Sequence, residues 1–71
     1  MNTPAYKDFV REGTTLRIWL ETDKRGEVER IHDGGWTHVR TVKSPEFWVL
    51  KVQENGWKPS KKSGLQIMVQ A

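Results

Sequence analysis

Thr14-Thr15-Leu16-Arg17-Ile18-Trp19-Leu20-Glu21 is the stretch on which the fold turns. Leu16, Ile18 and Leu20 alternate with Arg17, Trp19 and Glu21, the period of two that marks a strand with one face buried. Toward the C-terminus, Asp23-Lys24-Arg25-Gly26 reads as a turn, and a second strand is expected over 27–32. Val28 and Ile31 break strict alternation there, which predicts a bulge near Glu29-Arg30. Asp33-Gly34-Gly35 is the strongest hairpin signal in the chain, because Asp and Gly tolerate the positive φ angles of two-residue turns. A third strand over 36–43 is expected to end at Ser44-Pro45. Glu46 to Gln53 then reads as a fourth strand whose Phe47-Trp48-Val49-Leu50 is apolar on both faces. After an Asn55-Gly56 turn, Trp57 to Gly64 is a polar, basic connection, and Leu65, Ile67 and Val69 alternate in a last strand.

Toward the N-terminus the period changes. Thr3-Pro4 supplies an N-cap and a first helical residue, Tyr6, Phe9 and Val10 fall on one helical face, and Gly13 suits a C-terminal left-handed turn. A short helix over 3–12 is therefore predicted, followed by a sheet over 14–70. The fold expected is mainly β: an N-terminal helix and a five-stranded antiparallel meander curled into a small, partly open barrel. That ordering resembles SH3-like barrels, including the Sm-like RNA-binding proteins, in which a short helix precedes five bent strands. The resemblance is one of layout, so function has to be argued from the site.

The chain has 71 residues, 35% of them hydrophobic and 30% charged, which predicts one domain over 1–71. At 8.3 kDa its unfolded surface is roughly 12,000 Å² and its folded surface roughly 4,600 Å², so only about 60% is buried on folding and the core is thin. The absence of cysteine excludes disulfides and thiolate zinc sites. No apolar run approaches the ~18 residues that span a membrane, and the N-terminal stretch lacks the apolar core of a signal peptide. A soluble, cytoplasmic protein is the expectation.

Charge is distributed unevenly. Residues 1–34 hold six basic and seven acidic side chains, net −1, whereas residues 35–71 hold six basic and two acidic, net +4. A basic face toward an anionic partner is one reading, and a solvated surface is the other.

Four tryptophans are many for so small a core. The helical face gives Tyr6, Phe9 and Val10 to the interior, and strand parity adds Leu16, Ile18, Leu20, Trp48, Leu50, Val52, Leu65, Ile67 and Val69. It leaves Arg17, Trp19, Trp36, His38, Arg40, Phe47 and Lys51 outside, beside Trp57, Lys58, Lys61 and Lys62 of the basic connection. Interleaved aromatic and basic side chains suit single-stranded RNA or DNA, since cations track phosphates while flat rings stack on bases. The same residue types anchor protein interfaces, so a small protein-binding inhibitor or accessory factor, of the kind viruses and mobile elements encode, is the alternative. Self-association through an exposed edge strand and a second packed core remain open beside these.

Enzyme and metal chemistry find little support. His32, Asp33 and His38 lie across the Asp-Gly-Gly hairpin, and the two histidines could be cross-strand neighbours, but no third strong ligand is implied by spacing. His38 has no nucleophile in a recognisable triad context, and Lys61-Lys62-Ser63-Gly64 lacks the glycine spacing of a P-loop. The expectation is a binding module without catalysis, metal or cofactor.

Overall fold

The structure, a computed structural model, describes residues 2–60 and 66–68. Its elements in chain order are β1 (Asn2–Pro4), β2 (Tyr6–Arg11), β3 (Thr14–Trp19), β4 (Glu27–His32), β5 (Gly35–Thr41), α1 (Pro45–Glu54), β6 (Lys58–Pro59) and β7 (Gln66–Met68). Five antiparallel strands form one sheet in the order β5-β4-β3-β2-β6, and β1 pairs with β7 in a separate ribbon. β5 and β6 are the edges of the sheet and do not pair with each other, so the barrel is partly open. The mainly β expectation holds at this level.

The N-terminal helix does not form. Residues 6–11 are strand β2, paired with β3 from Tyr6↔Trp19 to Arg11↔Thr14, and Glu12-Gly13 is a two-residue hairpin turn with φ of 48° and 78°. Positive φ at both central positions matches the right-handed twist of the flanking strands. Gly13 therefore reverses a strand instead of ending a helix. The helix comes after the sheet meander, over residues expected to be the fourth strand. The SH3-like ordering, which rested on a leading helix, goes with it.

The reason lies in what each segment buries. Pro45, Trp48, Val49 and Val52 recur at helical spacing; Pro45 and Val52 are buried and Trp48 and Val49 partly so. Ser44 and Pro45 start the helix, with Pro at the first position where its missing N–H costs nothing. Its end is a Schellman motif: Gly56 N–H donates to the Gln53 carbonyl at 3.2 Å and Trp57 N–H to the Val52 carbonyl at 3.1 Å, with Gly56 at φ 93°. Asn55-Gly56, read as a strand turn, is this cap.

Helix α1 covers the sheet face that carries Phe9, Leu16, Ile18 and Val28, and Leu20 and Val52 complete the buried cluster. Two residues expected inside are exposed, Val10 at 40% and Leu50 at 62%. Leu50 lies on the side of α1 opposite Val52, which is where helical rather than strand periodicity puts it. The last expected strand is described only over Gln66–Met68, paired with β1; the inward assignments of Leu65, Ile67 and Val69 lie outside the described side chains.

The β4–β5 register shifts between Val28 and Glu29, one residue before the expected bulge. Arg40 faces Val28 and His38 faces Glu29, so the extra residue is Val39 on the partner strand. Val28 and Ile31 simply point to opposite faces of β4. The turn after β3 is closed by Gly26, whose N–H donates to the Trp19 carbonyl at 2.9 Å while its carbonyl accepts from Val42 N–H at 2.8 Å.

Candidate functional site

The sheet has two faces with different chemistry. On the face away from α1 lie Tyr6, Asp8, Arg17, Trp19, Glu29, Trp36 and His38, as the cross-strand pairs Tyr6↔Trp19, Asp8↔Arg17, Arg17↔Glu29 and Glu29↔His38 require. Arg17 sits at the centre. Its Nε and Nη2 donate to Asp8 Oδ1 and Oδ2 at 2.9 and 3.1 Å, and its guanidinium lies 3.7 Å from the Tyr6 ring and 4.2 Å from the Trp36 ring. Burial works against the Arg17 charge, but the hydrogen bonds and negative charge of Asp8 outweigh it and the pKa is raised. Trp19 is only 9% exposed, packs edge-on against Tyr6 at 4.7 Å and donates Nε1–H to Glu29 at 2.8 Å.

This corrects the expectation that Trp19 has no interior to occupy. A strand face too polar to be a core still hides a tryptophan when Tyr6, Arg17, Lys24 and Glu29 wall it in. Arg17 is likewise committed to Asp8. Of the outer set on this face, Trp36 is 42% exposed and His38 is exposed, its Nε2 3.2 Å from Thr41 Oγ1.

The other face holds a groove between α1 and the β4–β5 side of the sheet. It is open to solvent, about 440 Å³ in volume over a floor of Leu16, Val28, Val39 and Val52, with walls of Arg11, Arg30, Arg40 and Asn55 beside Trp48 and Trp57. No carboxylate lines it, and none of the three arginines takes part in an ion pair among the described residues. Strand parity explains the arginines: Arg30 pairs with Leu16 and Arg40 with Val28, so both project on the helix side beyond the reach of the short helix. Arg11, at the end of β2, lies 4.6 Å over the Trp57 ring and donates Nη1–H to the Asn55 carbonyl at 2.8 Å. Arg40 lies 4.9 Å over Trp48.

The expected site is therefore divided. Arg40 and Trp57 stand in the groove, whereas Lys58 on β6 pairs with Val10 and so projects from the sheet edge on the face away from α1. Arg17, Trp19, Trp36 and His38 lie on the opposite face. Phe47 and Lys51 form an outward pair on α1, with Lys51 Nζ 5.8 Å from the Phe47 ring. Lys61 and Lys62 lie outside the described residues. Arg11 and Arg30 are not among the expected site residues, and they carry the helix-side parity of β2 and β4; Trp48, expected in the core, packs against it partly buried and also lines the groove.

His32 and His38 are not cross-strand neighbours. His32 pairs with Gly35 and His38 with Glu29, on opposite faces, and among the described residues no three His, Asp or Glu side chains cluster as metal ligands. Among the described residues no helix is long and apolar enough to cross a membrane. Comparison with protein families, with curated proteins and with solved structures finds no match to this chain.

Proposed function

We propose that this protein is a small module that binds single-stranded nucleic acid in the groove between α1 and the sheet. The observation that carries the reading is the groove's lining: three guanidiniums and two indoles, with no carboxylate among them. Cations of one sign along low-dielectric walls focus field on the cleft and draw in a polyanion. Each tryptophan carries an arginine on its face, and a guanidinium plane offers an unpaired base a stacking surface while its edge N–H groups reach phosphate. A duplex, whose base faces are already stacked, has nothing to offer these planes.

Titration of tryptophan fluorescence with mixed-sequence single strands tests this. Quenching is expected, with log affinity falling linearly in log salt at about −0.7 per phosphate contacted. Arg30→Ala and Arg40→Ala are expected to weaken binding several-fold each, and Trp36→Ala to leave it unchanged. Flat titrations with both RNA and DNA at low salt, or equal losses from Trp36→Ala, would refute the groove as the site.

A second reading concerns the opposite face. Its arginine is neutralised by Asp8, and Trp36 and Val10 are exposed beside it at 42% and 40%, the composition of an interface for protein rather than for polyanion. Recovery of a stoichiometric protein partner that survives nuclease and is lost in Trp36→Ala is the expected result under that reading.

A further inference from the structure

The groove does not stop at its main depression. A smaller hollow of about 120 Å³ shares Arg11, Arg30 and Trp57 with it and adds Glu12 and Thr14. A third, of about 310 Å³, lies at the β2–β6 edge of the sheet between the β2–β3 turn and the helix cap; it shares Arg11 and Glu12 with the hollow, and the paired Val10 and Lys58 line it from the face away from α1. The three lie in series around Arg11. The two end depressions match the size of small-molecule sites, whereas the middle one is too small for a base with its sugar. What fits the middle is a tetrahedral anion, and Arg11 and Arg30 both line it.

We infer that the unit of recognition is a dinucleotide step: one nucleoside beside Trp48 and Arg40, the bridging phosphodiester at Arg11 and Arg30, and the next nucleoside over Gly13 and Gly56 with Lys58 near its outer phosphate. The inference rests on the single-strand reading and adds a length and a phosphate position to it. Glu12 is the one carboxylate on this path, and it opposes the ligand from the wall of the middle and outer hollows. Its charge is outnumbered by Arg11, Arg30 and Lys58, so it weakens binding without abolishing it.

Oligothymidylates of one to six residues, titrated by fluorescence and by amide chemical shift at low salt, test the step. Affinity is expected to rise at least tenfold from one residue to two and by no more than about threefold for each residue thereafter, the increment of added charge alone. A dithymidine with a neutral methylphosphonate linkage is expected to fall back to the mononucleotide level. Glu12→Gln is expected to strengthen the dinucleotide several-fold, and Arg30→Ala to remove most of the one-to-two gain. Equal increments at every length, a mononucleotide as tight as the hexamer, or a methylphosphonate dimer as tight as the natural one would overturn the dinucleotide step while leaving single-strand binding intact. Silence at every length, with long single strands included, would instead refute the function on which it rests.

Discussion

Arg17 shows how a single side chain changes meaning once its neighbours are in place. Between Arg17 and Asp8 the sheet register forms a fork of two hydrogen bonds, and Tyr6 and Trp36 close it from both ring faces. A cation so held is a structural bolt of the outer face, not a free phosphate ligand. Asp8→Ala would leave the guanidinium unpaired between two rings, with an expected loss of about 1–3 kcal/mol in urea unfolding and no change in oligonucleotide affinity. Gly26 is the sharper case. At φ 93° it lies in the left-handed region, and a Cβ there would fall on the Val42 carbonyl oxygen, which is backbone that has no easy way to yield. Gly26→Ala is expected to cost about 2 kcal/mol or more, read as a drop in thermal midpoint, because both strain and the loss of the Val42 hydrogen bond act together.

Helix α1 is the element whose identity decides the site. Its Schellman cap returns the chain so that Trp57 follows directly over Val52, and this places one indole of the groove. Gly56→Ala meets no close contact, only the Arg11 Cδ at 3.8 Å, so its cost is the backbone's alone, about 1 kcal/mol. Loosening of the cap should nonetheless weaken oligonucleotide binding by displacing Trp57, and fluorescence titration of this variant reads that effect. At the other end, Arg25 donates to both Glu46 oxygens at 2.7 and 3.0 Å and to the Leu20 carbonyl at 2.7 Å, tying the first turn of α1 to the loop after β3. Arg25's hydrogen bonds hold the Glu46 pKa below its ordinary value. The folded state therefore keeps this carboxylate ionised to lower pH than the unfolded chain does. Its stabilisation is present above the ordinary carboxylate range and is lost as pH falls through the lowered folded value. Comparison of the wild type with Glu46→Gln in unfolding experiments should show a stability gap at neutral pH that closes in acid.

Across the whole molecule, the two sheet faces divide the charge. The face under α1 gathers three arginines around an apolar floor, while the open face pairs its cation internally and carries Glu29 beside it. Net charge of +3 thus understates the field at the groove. Removing Arg30 and Arg40 together should flatten the salt dependence of binding by about 1.4 in log–log slope, two phosphates' worth on a single strand. The double variant Asp8→Asn with Trp36→Ala should leave that slope unchanged, since it alters only the opposite face.

Much of this was legible from residue order. The alternation at Leu16, Ile18 and Leu20, the turn at Asp33-Gly34, and the outward position of Arg17 and Trp36 follow from a period of two and from which residues accept positive φ, both properties of a few consecutive residues. The helix was not legible, because the same punctuation occurs twice: Thr3-Pro4 with Gly13, and Ser44-Pro45 with Gly56. Phe9 suits a helix face and a strand face equally, and Trp48 and Val52 stand four apart, a spacing that fits either period. Tertiary packing made the choice. Residues 6–11 complete the hydrogen bonds of β3 along its whole length, and residues 45–54 are needed to cover the apolar face that this sheet then exposes. Local sequence determined the meander over residues 14–41 and its turns; only the requirement to bury one shared face decided which flanking segment paired and which became the helix, and so where the arginines and tryptophans meet.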